Sequence, residues 1–421
     1  MASPDDIVIT GLGVVSPVGV GRQAFWEAVV AGRSGIGPIT GFDASGLAVR
    51  FGGQIVDFDP RLLVRPRKSL KVMSRDIQLG FAAADLATAD AGLAPGCVAP
   101  ERFGIVFGSD MIYADIEDLE STYRRAAEGG RFEYPRWAEA IQQEVHPLWL
   151  LKHLPNMTAS HVAITHDARG PNNSIVLGEV SGLLAVAEAA SVIRRGWADV
   201  MIAGGTGCRL HPTAMVARGA AQLSHRGDDF AAASRPFDRD RDGLVNGEGA
   251  GAVILESRQH AARRGASVIG RVMATAARCE PRARRDGIAG TSLRQAIRAA
   301  RESAGLEARD VGHLNAHGLS TIEMDRAEAQ AIAAELGDVP VTAPKSAFGH
   351  LGAGGGVVEM IASVLGLAAG VVPPTRNYEI PDPECPVNVV RGGPLAGRPA
   401  TAIAVNACTT GQAVAVALAS E

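Results

Sequence analysis

Apolar, β-branched runs alternate along the chain with longer stretches in which apolar residues recur at helical spacing. Strand-like runs occupy residues 102–108, 200–205 and 402–406, and helical stretches lie between them. Alternation of this kind is typical of proteins in which helices and sheets form successive layers. The pattern therefore predicts an α/β fold.

One order of elements occurs twice: a strand, a tight turn, a helix rich in small residues, and two further strands. The turns lie at Glu179 and His350. The three strands of each copy are expected at 174–177, 199–203 and 251–256 in the first, and at 341–344, 400–405 and 413–418 in the second. No linker rich in proline or serine separates the copies, so the halves 1–256 and 257–421 are predicted to share an extensive interface, where a site is plausible.

The first of these turns has the features of a site for an anion. Residues 172–177 are apolar and β-branched enough for an interior strand, Gly178 permits a tight turn, and 180–195 reads as a helix closed by Gly196. Unpaired backbone N–H groups and the helix dipole at such a position stabilise an anion or a developing oxyanion. Glu179 is therefore placed for chemistry; alternatively, it only caps the helix.

Composition and charge indicate a protein with a substantial core and argue against binding of nucleic acid. The 421 residues are 47% hydrophobic, which suffices for a substantial core. A net charge of −4 and a pI near 6.2 give no basic footprint for nucleic acid, so an anionic carrier would need a local basic patch. The arginine-rich segment 278–285 is predicted to be a solvated loop, with contact to a phosphopantetheine carrier as the alternative.

Cysteine spacing and the apolar segments predict a soluble, cytoplasmic protein. The five cysteines are scattered, odd in number and without metal-ligand spacing, which fits a reducing compartment and predicts no metal site. No signal peptide is visible in the acidic first residues. The most apolar stretch, 354–372, contains Glu359 and many small residues, so it predicts a packed core helix rather than a membrane span.

Three further segments carry polar residues into apolar, glycine-bounded surroundings. They are 315–321, 345–350 and 406–411. A lone histidine is more often structural than catalytic. Two histidines at strand-to-turn positions, His317 and His350, with a lysine five residues before the second, favour a functional site.

Longer motifs identify a family. They are VITGLGVVSP at 8–17, SGIGP at 34–38, PNM at 155–157, RPFDRDRDG at 235–243, GEG at 247–249 and PDPEC at 381–385. With these motifs, essentially the whole chain resembles the β-ketoacyl-acyl carrier protein synthases, the condensing enzymes of fatty acid and polyketide synthesis, most closely the elongating type II form. The resemblance implies a thiolase-like fold, in which two similar halves form a five-layered α/β/α/β/α domain that is usually a dimer.

The resemblance also implies roles for individual residues. In that family a cysteine at the helix turn takes an acyl group, and two histidines promote decarboxylation of a malonyl thioester and stabilise the enolate. His317 and His350 match these histidines, Lys345 matches the lysine of the second motif, and Glu359 matches the buried carboxylate that follows it. No resident cofactor is expected, since phosphopantetheine arrives on the acyl carrier protein.

Departures from the family pattern cluster on the acyl-binding side. Segment 170–182, GPNNSIVLGEVSG, matches the nucleophile motif with Glu179 at the cysteine. Cys408 and Thr410 stand where the C-terminal turn usually bears two phenylalanines. Leu319 replaces a threonine that is expected to contact the pantetheine arm.

Other positions of the same segments complete the expected site. Thr321 retains a second pantetheine-contacting threonine, and Asn406 is expected to support the site from the C-terminal turn. Segment 110–115, where small glycine-rich sequence is usual, is expected to reshape the acyl pocket.

The charge of Glu179 decides which chemistry survives. A carboxylate is a poor nucleophile for trans-thioesterification, so condensation is disfavoured. Decarboxylation needs mainly a polarised carbonyl and a stabilised enolate. A neutral Glu179 could donate a hydrogen bond to the thioester oxygen, whereas an ionised one would repel malonate and lock onto a histidine.

Three functions remain open. The sequence favours the first, a malonyl-acyl carrier protein decarboxylase that makes a primer, because both histidines and the lysine are retained. The second is a chain-length-factor-like subunit that pairs with an active ketosynthase, although such partners often lose the histidines. The third is distinct acyl-transfer chemistry with Glu179 as base or Cys408 as nucleophile. The expected partners are an acyl carrier protein and a second subunit, in a homodimer or a heterodimer paired edge to edge through strand 172–177, with no nucleic acid and no membrane.

Overall fold

The structure is a computed structural model that describes residues 6–281, 290–398 and 400–421, so part of the arginine-rich segment 278–285 lies outside the described residues. The strands are β1 Ile7–Ser16, β2 Gly19–Val20, β3 Ile36–Pro38, β4 Phe51–Gly53, β5 Phe103–Gly108, β6 Asn172–Ile175, β7 Val200–Cys208, β8 Glu248–Ser257, β9 Gly270–Cys279, β10 His313–Asn315, β11 Pro340–Thr342, β12 Val371–Val372, β13 Asn388–Val389, β14 Leu395–Ala396, β15 Thr401–Ala407 and β16 Gln412–Ala419. The α-helices are α1 Arg22–Val30, α2 Pro60–Leu63, α3 Arg75–Asp90, α4 Glu120–Ala126, α5 Tyr134–Glu144, α6 Met157–His166, α7 Ser181–Arg194, α8 Pro212–Arg218, α9 Arg258–Arg263, α10 Thr291–Ser303, α11 Ile322–Leu336, α12 Lys345–Phe348 and α13 Gly355–Ala369.

The main sheet repeats one arrangement of five strands. In the first copy, β5 lies parallel to β6 and β7, β7 is antiparallel to β8, and β8 is antiparallel to β1. In the second copy, β10 lies parallel to β11 and β15, β15 is antiparallel to β16, and β16 is antiparallel to β9. The orders β6-β5-β7-β8-β1 and β11-β10-β15-β16-β9 are therefore equivalent, which confirms the predicted repetition.

The two copies are joined through backbone hydrogen bonds as well as side chains. The start of β1 pairs antiparallel with the start of β9, with Ile7 opposite Val272 and Ile9 opposite Gly270. This pairing makes one sheet that runs continuously from β13 to β6. A shared ladder of this kind fixes the relative position of the two halves.

Three apolar clusters separate the layers. The central cluster contains α7 and α13 together with inward-facing residues from strands of both copies. One outer cluster packs α3 and α6 against strands of the first copy, and the other packs α10 and α11 against strands of the second. Helix, sheet, helix, sheet and helix follow one another, as the five-layered fold predicts.

Helix α13 fills the centre of this arrangement. Gly352–Ala369 is long and apolar enough to cross a membrane by length and composition, yet 83% of that stretch is buried inside the protein. Burial in an apolar core accounts for such a composition as well as a bilayer does. The prediction of a packed core helix is confirmed.

The strand before Glu179 differs from its prediction. β6 ends at Ile175, and among the described strands it pairs only with β5, so it lies at the edge of the sheet rather than in its interior. Asn172 and Asn173 are exposed, as are Val176 and Leu177, at 46% and 45%. The local sequence pattern predicted an interior strand, whereas the edge-to-edge pairing that the resemblance implies for strand 172–177 requires an edge position.

The segment 120–144 covers one side of the first half. α4 and α5 carry a group of aromatic rings in which Phe132 and Tyr134 meet edge to face, with centroids 5.2 Å apart. Tyr123 and Tyr134 are exposed at 50% and 75%. Most of residues 123–137 are exposed.

Candidate functional site

Three predicted site residues meet where the two halves touch. Glu179 lies in the short 3₁₀ turn Gly178–Val180 that precedes α7, and His350 lies just after α12. The His350 Nε2 atom is 3.3 Å from the Glu179 Oε1 atom. The rings of His317 and His350 are nearly perpendicular, with centroids 6.0 Å apart, and both histidines are 2% exposed.

The turn at Glu179 is held by the first residue of α7. Gly178 has a φ of 61°, a left-handed conformation that glycine adopts without strain. The Ser181 hydroxyl donates to the Gly178 carbonyl at 2.7 Å and accepts the Leu177 N–H at 2.8 Å. This local bridge fixes the backbone, so the Glu179 side chain projects into the interface between the halves.

Arg209 is a site residue that the sequence analysis missed. It follows the last residue of β7, its side chain is 8% exposed, and its guanidinium donates a hydrogen bond to Glu179 Oε1. The available signal was an arginine directly after an apolar strand of the same half. This signal does not show that Arg209 contacts Glu179, because Glu179 lies 30 positions away in sequence.

Glycines of β7 bring Arg209 to the site. A Cβ on Gly205 would lie 2.4 Å from the Ala353 carbonyl oxygen, and one on Gly207 would lie 2.4 Å from the Leu351 carbonyl oxygen. Only glycine permits so close an approach of β7 to the turn that follows His350. The close packing places the next side chain, Arg209, beside Glu179.

The carboxyl group of Glu179 is ionised. Burial alone would raise its pKa, but the hydrogen bond from His350 and the charge of Arg209 hold the pKa well below its usual range. Of the two states considered from sequence, the structure therefore has the ionised one, locked onto a histidine. A carboxylate with so low a pKa is also a weak general base.

Both histidines are neutral. Burial, followed by the charge of Arg209, lowers the pKa of His350 to about 3 despite the opposing effect of Glu179. A neutral His350 that hydrogen-bonds a carboxylate carries its proton on Nε2 and donates it. Burial, followed by the charge of Lys345, lowers the pKa of His317 well below its ordinary value.

A buried polar cluster lies behind the histidines. Lys345 Nζ donates to Glu359, and the Asn406 side chain donates to the other oxygen of that carboxylate at 3.4 Å. Burial raises the pKa of Glu359, while the charge of Lys345 opposes that rise. Lys345, Glu359 and Asn406 are thus brought together. Of the three, Lys345 acts on both histidines through its charge, without a hydrogen bond to either.

The loop that carries His317 is held by an acid that the sequence analysis also missed. The two oxygens of Glu328 accept the backbone N–H groups of His317 and Gly318, at 2.6 and 2.8 Å. Leu319 is buried on the same loop, and Thr321 begins α11 with a buried hydroxyl that has no partner among the described residues. Both ring nitrogens of His317 are likewise buried without a partner in that part of the chain.

Cys408 and Thr410 form a separate hydrogen-bonded group. The Cys408 thiol lies 2.8 Å from the Thr410 hydroxyl and donates to the Gln412 side chain at 2.9 Å. Cys408 is 3% exposed and shares a small cavity with His317. The structure thus places the C-terminal turn near the histidines but gives Cys408 no hydrogen bond to them.

Within residues 6–281, 290–398 and 400–421, no three His, Cys, Asp or Glu side chains are grouped closely enough to hold a metal ion.

Comparison with known proteins agrees with this fold. The 3-oxoacyl-[acyl-carrier-protein] synthase 2 of Synechocystis is 36% identical over 92% of this chain and 91% of its own length. The structure of a type II polyketide synthase acyl-carrier protein in complex with its ketosynthase matches with a TM-score of 0.84 and 29% identity, covering 100% of both chains. The ishigamide ketosynthase/chain length factor matches with a TM-score of 0.86 and 27% identity, again over 100% of both chains.

Two protein-family models match consecutive parts of the sequence. "Beta-ketoacyl synthase, N-terminal domain" matches residues 4–261, and "Beta-ketoacyl synthase, C-terminal domain" matches residues 269–379. Together these ranges include Glu179, Arg209 and both histidines. The chain therefore belongs to the beta-ketoacyl synthase family and has its thiolase-like fold.

Proposed function

We propose that the chain is a non-condensing subunit that pairs with an active ketosynthase in fatty acid or polyketide synthesis. The observation that carries this proposal is the contact of the Glu179 side chain with the Arg209 guanidinium and with His350 Nε2, two partners that hold the pKa of Glu179 low. By the resemblance, Glu179 stands at the nucleophile position. A carboxylate is a poor acyl acceptor. His350 donates to Glu179, so the same proton is not available for a thioester oxygen.

The edge of the main sheet supports pairing with a second subunit. β6 has an unpaired edge, and Val176 and Leu177, which continue it, are about half exposed. Met111, close to Ser109 whose N–H bonds the Ile175 carbonyl, is 60% exposed. The unpaired N–H and C=O groups of a strand edge readily pair with a partner strand. Pairing across β6 would also bring the Glu179 turn close to the subunit interface.

A basic strip supports docking of an anionic carrier domain. Five exposed cations lie within eleven positions, and none of them forms an ion pair with a carboxylate in the described part of the chain: Arg61, Arg65, Arg67, Lys68 and Lys71. Unpaired cations on one surface attract an acidic partner and raise its rate of association. This is the local basic patch that an anionic carrier requires, and it favours an acyl carrier protein as partner.

The partner proposal predicts an obligatory second subunit. Co-expression with an active ketosynthase from the same pathway should yield a heterodimer that condenses acyl groups with malonyl-carrier protein, whereas this chain alone should not. Size-exclusion chromatography with light scattering and mass spectrometry of the products would measure both. A charge introduced directly after β6 by Val176→Asp should abolish pairing, while Ile164→Asp, at a residue that is 78% exposed and lies elsewhere on the surface, should not. A stable homodimer that excludes every tested ketosynthase would contradict the proposal.

Decarboxylation of malonyl-acyl carrier protein is a second candidate, favoured by one observation. Both nitrogens of His317 are buried without a partner among the described residues, and a buried polar group in that state is available to a ligand. His317 would then polarise the thioester carbonyl and stabilise the enolate as carbon dioxide leaves. The contacts of Cys408 and the low pKa of Glu179 give no comparable support to distinct acyl-transfer chemistry.

The decarboxylase candidate makes its own prediction. Acetyl-carrier protein should form from malonyl-carrier protein in the absence of any other subunit. Glu179→Gln should raise the rate, because the amide removes a negative charge from the site of the malonyl carboxylate. His317→Ala should lower the rate at least about tenfold, as expected for loss of one electrostatic stabiliser. If mass spectrometry finds no acetyl product above background with either protein, this candidate fails.

A further inference from the structure

The guanidinium of Arg209 is enclosed but only partly satisfied. Its side chain is 8% exposed, and its Nε–H is buried with no hydrogen-bond partner among the described residues. Its ion pair within 4.0 Å is with Glu179, whose own side chain is 15% exposed. Arg209 therefore depends on one carboxylate for compensation of its charge.

A second acid that acts on Arg209 is engaged elsewhere. Asp110 acts on Arg209 through its charge, but it bonds the guanidinium of Arg218 at 2.9 Å. His350 adds a second donor to the Glu179 carboxylate, through Nε2 at 3.3 Å. One carboxylate thus receives hydrogen bonds from a guanidinium and an imidazole in a water-poor pocket, which is a strong arrangement for binding that group.

We propose that Arg209 and His350 form a carboxylate-binding site that the chain fills with its own Glu179. The ligand class is a short, unbranched aliphatic carboxylate, and the free carboxylate of a malonyl thioester belongs to that class. Because Glu179 occupies the site from within the chain, such ligands are excluded. The inference rests on the proposed function, in which this subunit performs no condensation, and it names the residues that keep the site closed.

A buried cation without a counter-charge destabilises the folded protein. Glu179 gains its place without loss of translational freedom, so a free carboxylate cannot compete with it at ordinary concentrations. When the internal carboxylate is removed, an uncompensated guanidinium remains in a low-dielectric pocket. A free anion of the right size then lowers the free energy of the folded protein, whereas a neutral molecule of the same shape does not.

The experiment tests replacement of the internal carboxylate by an external one. In Glu179→Ala, acetate should bind saturably by calorimetry and raise the melting temperature by at least about 2 °C, while acetamide should do neither. The unmodified protein should not respond, because its site is filled. The double variant Glu179→Ala/Arg209→Met is the matched control and should also fail to respond.

Each outcome decides the inference. A folded Glu179→Ala protein that ignores acetate overturns it, as does an equal response in the double variant. If Glu179→Ala does not fold alone, recovery of folded protein by refolding in acetate, but not in acetamide, supports the inference, and no recovery overturns it. Failure here leaves subunit pairing and condensation unaffected, so it is distinguishable from failure of the proposed function.

Discussion

Arg209→Met should lower the free energy of unfolding by about 3–5 kcal/mol near neutral pH, since removal of one partner of a buried ion pair leaves an uncompensated charge. Methionine keeps most of the side-chain volume, so the loss reports the charge of Arg209 rather than a cavity. Denaturant unfolding of the purified protein, monitored by circular dichroism, measures the change.

The matched control removes both charges. Glu179→Gln/Arg209→Met keeps the shape of the pair and should recover most of the loss, since replacing both partners of a buried pair is often close to neutral. If the double variant is as unstable as the single one, the effect of Arg209 is not electrostatic, and the ion pair does not explain the stability of the site.

The pH dependence of this effect has a defined sign. The pKa of Glu179 in the folded protein lies well below that of an ordinary glutamate, so its pairing stabilises the fold at pH values above the ordinary glutamate pKa. The stabilisation is lost as the pH falls through the folded-state pKa. The difference between the unmodified protein and Arg209→Met should therefore be largest near neutral pH and should shrink in acid.

The unmodified chain, purified alone, should condense acyl groups with malonyl-carrier protein at least about 10⁴-fold more slowly than an active ketosynthase, because loss of a catalytic nucleophile has effects of this order or larger. Glu179→Cys should not restore condensation, since Leu319 and Thr410 also depart from the family pattern. Mass spectrometry of carrier-bound products follows the reaction. Robust β-ketoacyl product from the unmodified chain, free of contaminating synthase, would overturn the assignment.

The reactivity of a cysteine introduced at position 179 distinguishes the effect of the nucleophile on condensation from the effect of the other site residues. In Glu179→Cys, the unpaired Arg209 should stabilise a thiolate, so iodoacetamide should label the variant faster than it labels Glu179→Cys/Arg209→Met. Equal labelling rates would mean that Arg209 does not act on position 179. Fast labelling of Glu179→Cys without condensation would indicate that the residues on the acyl-binding side, rather than the nucleophile alone, prevent the reaction.

The repeated plan and the positions of the histidines could be read from the sequence because both depend on local patterns. A strand, a glycine turn and a small-residue helix leave a recognisable signature at Glu179 and again at His350. Long-range pairing then repeats the local order, so each turn comes to lie at the same end of its own half of the sheet.

The contact between Arg209 and Glu179 could not be predicted in this way. It depends on how closely β7 approaches the turn after His350, which glycines permit but do not specify. The local pattern also placed strand 172–177 in the interior of the sheet, and only the resemblance to the family implied edge-to-edge pairing there. The charge of Glu179 was open for the same reason, because it is set by a partner that the local sequence does not name.

The equivalent orders of strands give the site an internal pseudo-twofold axis. Glu179 precedes α7 beside β6, and His350 lies between β11 and α13, so the two residues occupy corresponding positions of the two copies and meet at 3.3 Å. Two identical copies would place like residues against each other there, either two acids that repel or two bases. Joining the copies in one polypeptide lets the two positions diverge independently, so that an acid on one side can face a base on the other.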